Sequence, residues 1–147
     1  MGFFSKPFFS KAETEAIQQS IVEAESLCSG EIRVHIDKTC KGDVLTQAQA
    51  TFFKLGMQET ALRNGVLIYL VPSNKQMAII GDEGIHKIVG QDFWDDIYQQ
   101  MKGDFAQNQY CQGLQTGILS IGNALKTHFP IQENDQNELS NTISYGD

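Results

Sequence analysis

The stretch GVLIYLV, Gly65 to Val71, decides the fold class: it is an unbroken apolar run rich in β-branched and aromatic side chains. Such a run fits a central strand covered on both faces. Upstream, EIRVHI at Glu31 to Ile36 alternates Glu31, Arg33 and His35 with Ile32, Val34 and Ile36, the pattern of a half-buried strand. Between the two, VLTQAQATFFKLG places Leu45, Ala48, Phe52 and Leu55 on one helical stripe, with Gly56 as its stop. A strand-helix-strand unit is parallel and crosses over right-handed. Downstream, PSNK turns the chain into QMAIIG, a third strand returning antiparallel to the second.

Helices flank this centre. Ser10 and Glu13 form a capping-box pattern, and Ala16, Ile17, Ile21, Ala24 and Cys28 follow at helical spacing, predicting a helix from about Lys11 to Cys28. Trp94, Ile97, Met101 and Phe105 predict another beginning near Asp92. Leu114, Ile118, Ile121 and Leu125 predict a last one ending before Pro130, with Gly113 and Gly117 expected to pack against the sheet. The order implies an α/β layered domain with a small mixed sheet over residues 1–130. The polar tail, residues 131–147, is expected to be disordered.

The net charge is -7, but Glu133, Asp135, Glu138 and Asp147 lie in the tail, leaving 14 acids against 11 bases in the body. Lys and Arg are scattered singly, so a nucleic-acid partner is disfavoured and cations are the more plausible charged ligands. Three cysteines, Cys28, Cys40 and Cys111, show no CxxC spacing, which argues against a disulfide framework or thiolate zinc site. No signal-like or membrane-spanning run occurs, and a cytoplasmic protein is expected.

If strands one and two are parallel and strand three is antiparallel, the starts of the first two and the end of the third share one edge. Glu31, Arg63, Asn64, Asp82 and Glu83 then converge there, with Asp92 nearby at the start of a helix. Oxygen-rich chemistry of this kind suits Ca²⁺, and Mg²⁺ with more water retained. The ordinary alternative pairs Glu31 with Arg33 or Arg63 and leaves Asp82 bonding turn amides. His35 reads as a solvent-facing or hydrogen-bonded side chain and His86 as a capping one. The opposite edge offers Asp37 and Asp43 among lysines and ranks second. No P-loop, G-x-S-x-G, HExxH or dinucleotide fingerprint is present, so catalytic residues are not assigned. Gly84 is expected to supply a positive φ that lets Asp82 and Glu83 reach one ion.

SGEIRVHI, LGMQETALRNGVLIYLV, IIGDEGI, the Trp94 to Phe105 helix and GLQTGILSIGNALKTHFP, in this order and spacing, resemble the TPM domain family, also called the TPM phosphatase family. The likeness runs from about Phe8 to Pro130 and is nearest to the short bacterial single-domain type. It implies a three-layer α/β/α sandwich with helices on both faces of a mixed sheet. It also implies Ca²⁺ binding in an acidic pocket at Glu31, Asn64, Asp82 and Glu83, and, for some members, acid phosphatase activity. Asn108-Gln109-Tyr110 stands where many members have an acid before the tyrosine. A regulatory or protein-interaction module that binds a divalent cation is the leading expectation, and a metal-dependent phosphatase the alternative.

Overall fold

The computed structural model describes residues 7–131 and 139–146. Its elements are α1 (Lys11–Leu27), β1 (Glu31–Ile36), α2 (Val44–Lys54), β2 (Gly65–Val71), β3 (Gln76–Gly81), α3 (Glu83–Val89), α4 (Gln91–Ala106), α5 (Tyr110–Leu125) and β4 (Ser144–Tyr145). They form an α/β sandwich on a mixed sheet of order β3-β2-β1-β4. β1 and β2 pair in parallel with Glu31 opposite Gly65, and β3 returns antiparallel on β2. The Ser10–Glu13 capping box opens α1 as expected; such a cap contributes about 1 kcal/mol.

The alternation of side chains along a strand divides the core between two helical layers. Val66, Ile68 and Leu70 of β2, with Ile32, Val34 and Ile36 of β1, face α1, α4 and α5. Leu67, Tyr69 and Val71 face the other way, onto Ala48 and Phe52 of α2. Every residue of β2 is buried, as its uninterrupted apolar run requires.

Four expectations are corrected. The tail is not wholly disordered: residues 139–146 lie along β1, with β4 parallel to it and Ile143 buried in the core. An apolar anchor and an open sheet edge supply what tail composition alone did not reveal; residues 132–138 of the expected disordered segment lie outside the described residues. This segment also reaches the polar face of β1, Leu139 at Glu31 and Ser144 at His35, and those two residues are 4% and 8% exposed. Gly113 and Gly117 pack against α4 rather than the sheet, since Cβ atoms there would fall 2.6 Å from the Phe105 ring and 2.4 Å from Met101 Sδ. Finally, Leu45, placed on the buried stripe of α2, is 47% exposed.

Candidate functional site

At the amino edge of β1 and β2, β3 delivers Asp82 beside the loop that precedes β2. Asp82 has extended backbone angles and caps α3, accepting from Glu83 N at 2.8 Å, so the two adjacent acids leave the strand on the same side. Arg63, at φ 49°, brings its guanidinium to both: Nε and Nη2 donate to Asp82 at 2.7 and 2.9 Å, and Nη1 to Glu83 at 3.2 Å. The Asp82 side chain is 5% exposed, that of Arg63 38% and that of Glu83 74%. The bond to Asp82 raises the Arg63 pKa above its ordinary value. Gly84 owes its place to contact and not to a positive φ: it is helical, and a Cβ would lie 2.2 Å from Leu62 O and 2.6 Å from Arg63 O. Asn64 is 2% exposed; its Nδ2 donates to Ser29 O at 2.7 Å, while its buried Oδ1 accepts no hydrogen bond. Glu31 is adjacent through its backbone, donating N–H to Asn64 O at 3.1 Å, and its Oε1 accepts from Leu139 N at 2.6 Å. Asp92 stands exposed in the first turn of α4.

The opposite edge is a closed polar network. His35 Nε2 donates to Asp37 Oδ1 at 2.7 Å, Tyr69 OH donates to Asp37 Oδ2, and His35 Nδ1 meets Ser144 Oγ at 2.7 Å. Burial, then the bond to Asp37, pushes the Tyr69 phenol well above its ordinary range. The imidazole and phenol rings are stacked 5.9 Å apart. A side chain at residue 146 would strike Asp37 Oδ1 at 2.0 Å, so glycine is needed where the chain passes. Ser, His and Asp are the residue types of a nucleophilic triad, but Ser144 Oγ also reaches Val34 O at 3.4 Å inside the β1–β4 pairing. The array clasps β4 to the sheet. Asp43 is engaged as the cap of α2, accepting from Thr46 N and Oγ1 at 3.0 and 2.9 Å. Of the three thiols, Cys111 has its pKa raised, by burial and then by Glu13.

The family model described as the TPM domain matches residues 5–124. The chain belongs to the TPM domain family. It is similar to the BA42 protein of the psychrophilic bacterium Bizionia argentinensis, solved by NMR, at 42% identity and TM-score 0.91, over 99% of this chain and 100% of that one. The fold recurs in the N-terminal domain of a protein from P. gingivalis, at 17% identity and TM-score 0.70, over 87% and 83% of the two chains. It recurs also in the N-terminal domain of cg2496 from Corynebacterium glutamicum, at 15% identity and TM-score 0.66, over 92% and 80%. No curated protein matches.

In this TPM domain the positions expected to form an acidic pocket lie on one edge, yet they do different work. Asp82 and Glu83 share Arg63, Glu31 holds the backbone of Leu139, and Asn64 keeps a buried acceptor without a donor. Among the described residues no group of three or more His, Cys, Asp or Glu is arranged to hold a metal ion. His86 caps nothing with its ring: its Nδ1 accepts the Trp94 indole N–H at 3.0 Å, tying α3 to α4. Sequence reasoning missed Ser144, Leu139 and Tyr69 as polar partners, because their contacts span 32 to 109 positions and leave no local signal. No helix among the described residues is long and apolar enough to cross a membrane.

Proposed function

We propose that this TPM domain binds a divalent cation, Ca²⁺ or more weakly Mg²⁺, at the amino edge of its sheet and serves as a regulatory or interaction module. The observation that carries the reading is Asn64 Oδ1, a buried acceptor with no hydrogen bond. A lone buried acceptor costs stability unless something occupies it. The same edge of the sheet carries oxygens of the hard type Ca²⁺ selects: the Asp82 and Glu83 carboxylates and the Leu62 and Arg63 carbonyls that crowd Gly84. Arg63 is the resident positive charge, and its exposed side chain can turn into solvent when a stronger cation takes the carboxylates. Asn64, Asp82 and Glu83 would hold the ion. Glu31 would join them by releasing Leu139 N, and Asp92 by a rearrangement of α4.

Calorimetric titration with CaCl₂, alongside amide spectra, tests this. The expected dissociation constant is about 10⁻⁴–10⁻³ M, the range of sites with few charged ligands. Asp82→Asn should weaken binding by about tenfold. Arg63→Gln should strengthen it, since it removes the competing positive charge and frees two carboxylates. Silence in both the wild type and Arg63→Gln at 10-fold higher CaCl₂ than this range defeats the proposal. The alternative, a metal-dependent phosphatase, draws on one observation: Arg33 Nε is buried without an acceptor and could take a phosphoryl oxygen. Arg63, the other candidate, has three donors already on Asp82 and Glu83. Hydrolysis of an aryl phosphate that is lost on chelation and in Arg33→Gln would favour that alternative.

A further inference from the structure

The free edge of β3 points to a second interaction surface. β3 ends the sheet, and among the described residues no strand pairs on its outer side. It is six residues long and carries no charge or proline, the devices that usually blunt an open edge. Asp82 N donates to Gly65 O at 2.9 Å, so the hydrogen-bonded pairs of the antiparallel ladder fall at alternate residues, Ile80, Ala78 and Gln76. The N–H and C=O of Met77 and Ile79 therefore face outward.

Two hollows flank this edge, of about 180 and 220 Å³. They share Met77 and Tyr98 and so make one groove running along β3. Its walls are apolar: Leu45 from α2 on one side, and Trp94, Tyr98 and Phe105 from α4 on the other. The exposure of Leu45, a residue whose pattern is that of a core position, belongs to this groove. The charges are polarised. Lys75 and Lys102 stand at the end where β3 begins, and Asp95 stands towards the end where it finishes.

We propose that the groove takes an extended peptide from another protein, which adds to β3 as a new edge strand with its carboxyl-terminal or acidic end at Lys75 and Lys102. That polarity runs the peptide antiparallel to β3. Backbone bonds to Met77 and Ile79 supply the register, and alternate apolar side chains fill the two hollows. Two lysines together on a chain of net charge -7 favour a negatively charged end over a positive one.

The probe is the synthetic peptide Thr-Val-Thr-Val-Thr-Val-Glu with a free carboxylate, titrated into the full chain and followed by amide and indole spectra. Shifts should centre on Met77, Ile79 and Trp94, and the double variant Lys75→Glu/Lys102→Glu should weaken binding about tenfold while its unperturbed spectrum elsewhere reports an intact fold. The same peptide N-methylated at alternate residues keeps every side chain and loses the donors that strand addition needs; it should bind at least tenfold more weakly. Equal binding of the methylated peptide, equal binding of phenyl phosphate, or no shift at millimolar peptide would overturn the proposal. So would concentration-dependent shifts of the same residues in the protein alone, because the occupant would then be a second copy of this chain.

Discussion

The two ends of the parallel pair β1–β2 carry similar polar residues but treat them oppositely. At the carboxyl end, both Asp37 oxygens and both His35 nitrogens have partners, and the surrounding rings and glycine close over them. At the amino end, Asp82 is held by a half-exposed arginine, and a buried amide oxygen is left over. A buried polar network that is fully satisfied contributes rigidity. One that is incomplete marks where a ligand would lower the free energy, which is why the amino end is the candidate site and the carboxyl end a clasp.

The contrast can be broken most forcefully at Gly84. Substitution by alanine pushes a Cβ onto two backbone carbonyls that cannot retreat as a side chain would. We expect a loss of about 3 kcal/mol or more in chemical denaturation, with site and fold damaged together. The next largest effect is expected at the clasp. Asp37→Asn turns one of the two carboxylate oxygens that accept from His35 and Tyr69 into an NH₂ donor facing another donor, and should cost about 2 kcal/mol in the same measurement, with β4 amides losing protection first.

A third variant sharpens the picture from beneath the tail. Burial lifts the Glu25 carboxyl from 4.5 to about 7, against the lowering effect of Ile32 N–H and Asn141. The folded chain therefore keeps a proton that the unfolded chain loses, and stability falls as pH rises from 4.5 to 7. Above that window the cost is constant; below it the cost is absent. Glu25→Gln should flatten the slope and raise stability at pH 8 by about 1 to 2 kcal/mol, less than the full shift implies because part of the carboxyl remains in water. The smallest effect is expected from Arg63→Gln without added cation: melting should change less than in Asp37→Asn, since the Arg63 side chain is 38% exposed and water can replace part of what it gives Asp82 and Glu83. A larger loss there than at Asp37 would make the amino end the structural one.

The sequence spoke clearly where structure was local. β1, β2 and β3 are short runs with distinct patterning and clear stops, and the convergence of Arg63, Asp82 and Glu83 follows from their directions alone. α3 was not legible: seven residues hold one buried position, Ile85, too few to establish a period. The cover over Glu31 and His35 was not legible either, because it comes from Leu139 and Ser144, more than a hundred positions away. Nor does any residue type announce that Asn64 Oδ1 lacks a donor, which depends on everything packed around it.

β4 also sets an order of events. It joins β1 across 109 positions, and closing so long a loop gains nothing until the rest of the body has brought β1 into place. Residues 139–146 should thus be absent from the folding nucleus, and substitutions there should speed unfolding while leaving the refolding rate unchanged. During synthesis they leave the ribosome after every other described element. For that interval the nascent domain exposes the edge of six-residue β1 where the folded chain presents only that of two-residue β4, and the vulnerability to mispairing ends only when Ile143 finds its pocket.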